Sequence, residues 1–338
     1  MNDGARALLE LVRAPAAVSV PGDTMAGAAA AGVRWAPGLG VASTLLYWSG
    51  MALNDWADRE ADALDRPERP IPSGRVAEGR ALAMAAGLTG AGLAVAALSG
   101  GRRALATAGL LAGAVWAYDL RLKHTAAGPA AMATCRALDV LLGAAGRSGA
   151  AGTGARGWAS ALPVALAVGA HTYGISILGR AEVKGATPAT VRGALATTAA
   201  ATGLAAAACL PALRTKAMGP WMGEVPNRVP TVALSGEHAT AADRVTAVAL
   251  SGEHATAADR VTAVALLAGY AALTATAVAR LRAAPGPDLV RQAVRLGILA
   301  LLPLQATAVA SRGRRKQAGA LLAAHPVGRW LSARMATS

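Results

Sequence analysis

The chain has 338 residues, of which 54% are hydrophobic and only 15% charged, with a mean hydropathy of +0.40; this is too apolar for an ordinary soluble domain. Length alone would suggest about two soluble domains, and composition overrides that in favour of an integral membrane protein. The net charge of +14 does not point to nucleic acid, because the basic residues fall between apolar runs and build no basic, aromatic-studded face; anionic lipid headgroups and phosphate-bearing ligands are the fitting counterparts.

The N-terminus, MNDGARALLELVRAPAAVSVPGD, carries acids and a proline where a signal peptide would have a clean charged region and apolar core, so no cleavable signal is expected. Apolar runs near 16–33, 37–53, 81–99, 104–118, 128–146, 158–179, 189–211, 261–279 and 288–310 then predict about nine membrane-spanning helices. The expected fold is all-α, a polytopic membrane protein of one domain over residues 1–338. There is no Phe, with seven Trp and four Tyr, so alanine and glycine must make most helix contacts, as small residues do when helices approach closely in lipid. The tryptophans mostly fall near span ends, where interfacial anchoring is the default. Cys135 and Cys209 both lie in predicted spans, which makes a disulfide framework improbable.

With a cytoplasmic N-terminus, the short loops on that side hold sixteen Lys and Arg residues against five on the other, and the asymmetry favours this orientation. The basic tail, residues 311–338, disagrees after nine spans, so either the last span is re-entrant or the tail lies on the surface. A long loop is expected over 212–260. Its residues 232–247, VALSGEHATAADRVTA, recur unchanged at 248–263. Two copies are too few for a solenoid; the repeat reads as a tandem duplication, and Glu237/His238 and Glu253/His254 carry no independent evidence for a metal.

The most polar stretch is NDWADREADALDRPERPIPSGRV, residues 54–76. If the second span stays helical to about residue 64, a step of about 100° per residue puts Asn54, Asp55, Asp58 and Asp62 on one face. Carboxylates crowded at a membrane boundary repel unless cations sit among them. One reading is a solvated helix end neutralised by Arg59, Arg66 and Arg69. The other is a Mg²⁺ site, since this ion takes one or two carboxylates and completes its shell with water and phosphate. Pro67, Pro70 and Pro72 then stop the helix, and Ser73 and Gly74 turn the chain back.

The run N-D-x-x-D-x-x-x-D followed by R-P-x-R-P-I-P-S-G-R-V resembles the first aspartate-rich motif and following loop of the UbiA superfamily of intramembrane prenyltransferases. Tyr118, Leu122 and Lys123 in YDLRLKHT resemble that family's tyrosine-to-lysine loop after the fourth span. The resemblance implies a helical bundle around a central polar cavity, open to the bilayer for an isoprenoid tail. It implies Mg²⁺ on Asn54, Asp55, Asp58 and Asp62, with catalytic roles for Asp55, Asp58 and Lys123 and diphosphate contacts from Lys123 and Arg69. The family's second aspartate motif is absent: the matching loop, HTYGISILGRAEVKGATPATV, offers only Glu182 as a carboxylate, flanked by Arg180 and Lys184. Either a cation such as Arg180 replaces the second metal, or ordinary diphosphate ionisation has been lost. This loop, with MATCRALDVLLGAAG, resembles a divergent bacterial subgroup, EboC-like.

Arg136 and Asp139 lie at i and i+3, close enough to neutralise each other across a turn; alternatively Asp139 lines the cavity and contacts metal or acceptor. His171 reads as a packed, hydrogen-bonded residue more readily than as a base, and His124 as an interface residue beside Lys123.

The expected function is Mg²⁺-dependent transfer of an isoprenyl group from a prenyl diphosphate to a small, for instance aromatic, acceptor. The expected setting is the bacterial inner membrane, with the acidic motif cytoplasmic and lipid the surrounding partner. The alternative is a non-catalytic isoprenoid-binding protein. A transporter would need inverted repeats and broken helices, and neither is visible. Acceptor, prenyl length and oligomeric state are not encoded in these motifs.

Overall fold

The computed structural model describes residues 3–13, 17, 19–146, 154–209, 255–323 and 326. The first copy of the duplicated segment, Glu237, His238, Glu253 and His254 lie outside the described residues, as do residues 324, 325 and 327–338 of the basic tail. Among the described residues all regular structure is helical: α1 (Asp3–Leu11), α2 (Pro21–Ala30), α3 (Pro37–Ala57), α4 (Arg59–Asp65), α5 (Glu78–Ala117), a π-helical turn (Tyr118–Leu122), α6 (Gly128–Ala144), α7 (Gly154–Gly179), α8 (Pro188–Cys209), α9 (Ala257–Ala283) and α10 (Pro287–Ala310). Among the described residues four stretches, Glu78–Leu122, Gly157–Gly179, Ala257–Ala283 and Pro287–Ala310, are long and apolar enough to cross a membrane. Outward-facing side chains such as Leu98, Leu110, Val261 and Ile298 are apolar and exposed, as lipid contact requires.

Helix α5 is a hairpin. Gly101, with φ 71° and ψ −157°, leaves the helical region, and only a residue without Cβ adopts this conformation readily. Trp116 Nε1 donates to Thr89 Oγ1 at 3.1 Å. In a straight helix these residues would be about 40 Å apart at 1.5 Å per residue, so the chain doubles back at Gly101. Its limbs are the apolar runs expected at 81–99 and 104–118. Helix α3 packs against both limbs: Gly92 abuts Leu46 and Gly50 abuts Val115.

The first apolar run departs from expectation. Helix α2 spans 10 residues, about 15 Å of rise and half of a hydrocarbon core. It is buried from Gly22 to Ala30, an interior helix clamped on α6. A Cβ on Gly27 would meet the Val140 carbonyl oxygen at 1.8 Å, and one on Gly143 the Thr24 carbonyl oxygen at 2.0 Å. Two glycines therefore let the backbones touch, and this contact puts Asp23 opposite Arg136. The core around it gathers Ala26, Ala30, Val140, Leu141, Val168, Tyr270 and Leu304.

Helix α9 begins at Ala257, four residues before the expected span. Thr256 accepts from the Asp259 amide, and Asp259 accepts from the Thr256 amide at 2.7 Å. This capping box satisfies helix-end donors, so the second repeat copy ends inside a helix and the loop expected through residue 260 is shorter.

Candidate active site

The acidic face survives a break in its helix. Helix α3 ends at Ala57 and α4 begins at Arg59, with Asp58 between them at φ −92° and ψ 2°. The Asp58 amide still donates to the Asn54 carbonyl at 3.0 Å and the Asp62 amide to the Asp58 carbonyl at 2.8 Å, so the one-turn spacing persists across the kink.

Asp55 and Asp62 are each 5% exposed and share one guanidinium. Arg69 Nη1 lies 3.3 Å from Asp55 Oδ1 and 2.5 Å from Asp62 Oδ2. Asp55 Oδ1 also takes Arg13 Nη2 at 3.0 Å. Asp58 is the outer member: Asn54 Nδ2 donates to its Oδ2 at 3.2 Å, while Lys123 Nζ and His124 Nε2 approach its Oδ1 at 2.7 and 3.3 Å.

The loop after α4 holds Arg69 in place. Ile71 and Val76 are buried with Leu11, Ala52 and Leu53, and Arg75 makes a two-pronged contact to Glu10 at 2.6 and 3.1 Å. That hydrogen bond raises the Arg75 pKa above its ordinary value, and the contact ties the loop to α1. Arg13, in the same N-terminal segment, has φ 48°, a left-handed conformation uncommon outside glycine; from there its side chain reaches Asp55.

Lys123 is delivered by the π-helical turn. Its amide donates to the Tyr118 carbonyl at 2.9 Å, a five-residue hydrogen bond that stacks the two residues despite their spacing. Single π turns of this kind concentrate at functional sites.

Of these groups Arg13, Asn54 and Tyr118 line a cavity of about 270 Å³ that runs from them and Asp119 to Ser43, Arg136 and Asp139, with Leu46, Leu111, Val115 and Met132 along its walls; Asp55 and Asp58 stand behind Arg13 and Asn54. Polar ends and an apolar passage suit a ligand with an anionic head and a hydrocarbon tail.

A profile of the UbiA prenyltransferase family matches residues 17–235. The chain belongs to that family. Digeranylgeranylglyceryl phosphate synthase of Methanopyrus kandleri is 40% identical over 126 residues, 36% of this chain and 45% of that protein. The bacteriochlorophyll synthase 33 kDa chain of Cereibacter sphaeroides is 39% identical over 103 residues, 29% of this chain and 33% of the other. The chain thus spans less than half the length of these curated relatives. Among solved structures, one of a digeranylgeranylglyceryl phosphate synthase superposes with a TM-score of 0.56 at 17% identity, over 91% of this chain and 99% of the other. A UbiA homolog from Aeropyrum pernix K1 superposes with a TM-score of 0.54 at 18% identity, over 86% and 96%. Both share the fold.

Within this UbiA fold the expected residues divide. Asn54, Asp55, Asp58, Asp62, Arg69, Tyr118 and Lys123 come together at one end of the cavity. Glu182 does not join them by any contact in the structure: its carbonyl accepts from Arg291 Nη1 at 3.2 Å, and the turn it occupies packs on the α9–α10 loop, where the Ala186 amide donates to the Pro285 carbonyl at 2.8 Å. Arg180 reaches the site through the backbone, donating from Nη2 to the carbonyls of Lys123, at 2.8 Å, and of Thr125. It braces the lysine loop. Arg136 and Asp139 do not neutralise each other across a turn. Arg136 Nη2 pairs with Asp23 Oδ2 at 2.9 Å, because α2 lies closer to the guanidinium than the next turn of α6 does. Asp139 lines the cavity. His171 is a packing residue as expected: it is buried, hydrogen bonded to the Gly297 carbonyl and the Tyr270 hydroxyl, each at 2.9 Å.

Three site residues escaped the sequence reading. Asp119 is 4% exposed and lines the cavity near Lys123; an acid at the edge of an apolar span, one residue after Tyr118, was the signal. Asp23 carried the same signal. Arg13 carried none, since nothing local ties it to a carboxylate 42 residues away.

Oxygen donors of Asn54, Asp55, Asp58 and Asp62 have the hardness that Mg²⁺ takes. Among the described residues no group of three His, Cys, Asp and Glu side chains is gathered as a formed metal centre; cations fill that role. Asp58, 22% exposed at its side chain and beside Asn54 at the cavity end, fits such an ion best, with Asp55 behind it.

Proposed function

We propose that the protein is a Mg²⁺-dependent intramembrane prenyltransferase, moving an isoprenyl group from a prenyl diphosphate to a small acceptor in the bacterial inner membrane, with the acidic motif on the cytoplasmic side. The observation that carries this reading is the convergence of Asp55, Asp58 and Asp62 with Arg13, Arg69 and Lys123 at one end of an apolar-walled cavity, in a chain of the UbiA family. The excess of Lys and Arg in loops on the motif's side supports the orientation.

Bound Mg²⁺, held by Asp58 and Asp55 with Asn54 and Asp62 beside them, would neutralise charge on a departing diphosphate. Lys123, Arg69 and Arg13 pair with those carboxylates, and on arrival of a diphosphate their side chains can turn to its oxygens, where charge grows as the allylic C–O bond breaks. The π turn and Arg180 fix the position from which Lys123 does so. Leu46, Leu111, Val115 and Met132 exclude water from the allylic cation.

A second reading, a binding protein without turnover, is favoured by one observation: Glu182, the carboxylate left in the place of the second motif, makes no hydrogen bond or ion pair with the acidic cluster, and its backbone carbonyl accepts from Arg291 on α10. The experiment that separates them follows diphosphate release from labelled geranyl, farnesyl and geranylgeranyl diphosphates by purified protein, with wild type against Asp55→Asn and Asp58→Asn. Release that needs Mg²⁺ and vanishes in both variants is expected. Tight binding with no release under a broad acceptor set would favour the second reading.

A further inference from the structure

The end of the bundle that carries the acidic motif holds a second cavity, between α8 and α9, that the proposed reaction does not use. Arg180, just after α7, donates to the Lys123 carbonyl, so the α7–α8 turn lies at this end. The Ala186 amide donates to the Pro285 carbonyl at 2.8 Å, which brings the α9–α10 loop beside that turn. The cavity measures about 320 Å³ and is lined by Pro188, Val191, Arg192, Leu281, Arg282 and Pro285. Its floor is packed: Val191 and Leu281 are 3% and 1% exposed and belong to one apolar cluster with Ala194, Val278 and Val290. Its rim is charged. Arg192 and Arg282 each follow a floor residue directly in the chain, and both are exposed. Among the described residues neither has an acidic partner, and the nearby Asp288 is taken by Arg291. Residues 180–192 and 280–295 together carry seven Lys and Arg against two acids.

We propose that this cavity binds the phosphate of an anionic glycerophospholipid from the surrounding leaflet. Arg282 stands in the last turn of α9, a helix long and apolar enough to cross a membrane, so the rim lies at the depth of the lipid headgroups. The planar fork of a guanidinium matches two phosphate oxygens, and the glycerol with its first acyl carbons can cover Val191, Leu281 and the two prolines. Other occupants fit worse. The ammonium of a zwitterionic head would meet two arginines with no acid to receive it. A soluble phosphate would satisfy the rim and leave the apolar floor open to water, which is unfavourable. Bound lipid would join α8 to α9 through its phosphate. The site is separate from the cavity at the acidic motif and stands whether or not the protein turns over a prenyl diphosphate.

The test uses the full chain in a neutral detergent and follows lipid retained on the protein by native mass spectrometry, titrating dioleoyl phosphatidylglycerol against dioleoyl phosphatidylcholine. One phosphatidylglycerol per chain should be retained, about 10-fold more tightly than phosphatidylcholine. A basic side chain facing anionic lipid is worth about 5-fold in affinity, so Arg192→Gln and Arg282→Gln should each weaken retention by that factor, and the double variant by about 25-fold. Neither arginine holds a protein partner, so the variants keep the fold, which an unchanged melting temperature in lipid-free detergent verifies. Arg80→Gln is the control: Arg80 is exposed near the start of α5, at the same end of the bundle and outside the cavity, and its loss should leave retention unchanged. Equal retention of the two lipids overturns the proposal. So does a loss in Arg80→Gln as large as in the cavity variants, which would mean general attraction to a basic surface. Glycerol 3-phosphate bound as tightly as phosphatidylglycerol, with the same dependence on both arginines, overturns the lipid in favour of a soluble phosphate ester.

Discussion

Arg69 and Asp62 meet at 2.5 Å while the same Nη1 atom lies 3.3 Å from Asp55, so a single guanidinium joins the end of α3 to α4 across the kink at Asp58. Removing it leaves Asp55 with Arg13 alone at 3.0 Å and Asp62 with only the more distant Arg66 at 4.0 Å. Arg69→Met should lower stability by about 1–3 kcal/mol, the cost of weakening the pairing of buried charged groups. It should also weaken diphosphate binding. Thermal unfolding in detergent and equilibrium binding of a labelled prenyl diphosphate check the two effects; a variant as stable as wild type would show that the pair is solvated and incidental.

Lys123 sits 2.7 Å from Asp58 with its side chain 8% exposed. Lys123→Met should reduce diphosphate release by roughly 10²-fold, the scale of losing one preorganised electrostatic contact, and Lys123→Arg should recover only part of it, because a planar fork does not replace a compact ammonium. A double-mutant cycle of Lys123→Met with Asp58→Asn should give a coupling of about 0.5–3 kcal/mol in stability. Additive effects would mean that the two side chains act apart.

Gly143 and Gly113 make a controlled pair. A methyl group on Gly143 would come within 2.0 Å of the Thr24 carbonyl oxygen, whereas one on Gly113 meets nothing within 4 Å. Gly143→Ala should destabilise by about 1–3 kcal/mol through overpacking and loosen the contact between Asp23 and Arg136. Gly113→Ala should stabilise slightly, by roughly 0.5–1 kcal/mol, as alanine replaces glycine inside a helix. Melting temperatures of the two variants, measured side by side, decide it.

Chelation should separate function from fold. Asp55, Asp58 and Asp62 already carry Arg13, Arg69 and Lys123 as partners, so removing divalent ions should stop diphosphate release and leave the melting temperature of the substrate-free protein unchanged. A large drop on chelation would mean that a metal is part of the resting structure.

The class of fold was legible in composition, and the candidate site was largely legible in one segment. Asn54, Asp55, Asp58 and Asp62 are local: helical spacing puts them on one face whether or not the helix bends. Tyr118 and Lys123 are five residues apart, a spacing that an α-helix would not stack and that a π turn does. Other parts were not legible. That α2 is a short interior helix depends on Gly27 and Gly143, which look in the sequence like any other small residues. Arg136 and Asp139 at i and i+3 imply a mutual pair until a neighbouring helix offers a better partner, and Glu182 looks available until its turn docks on the α9–α10 loop.

By itself the sequence determined what short-range chemistry controls: apolar segments of membrane-spanning length, and an acidic face followed by a proline-bound basic loop. The tertiary structure alone decided which charges meet. Arg13 reaches Asp55, Asp23 reaches Arg136, and Gln305 reaches Asp23, over separations at which sequence spacing carries no information. In a low-dielectric interior each charge must take the partner that packing brings within reach. Which partner that is depends on how closely two backbones approach.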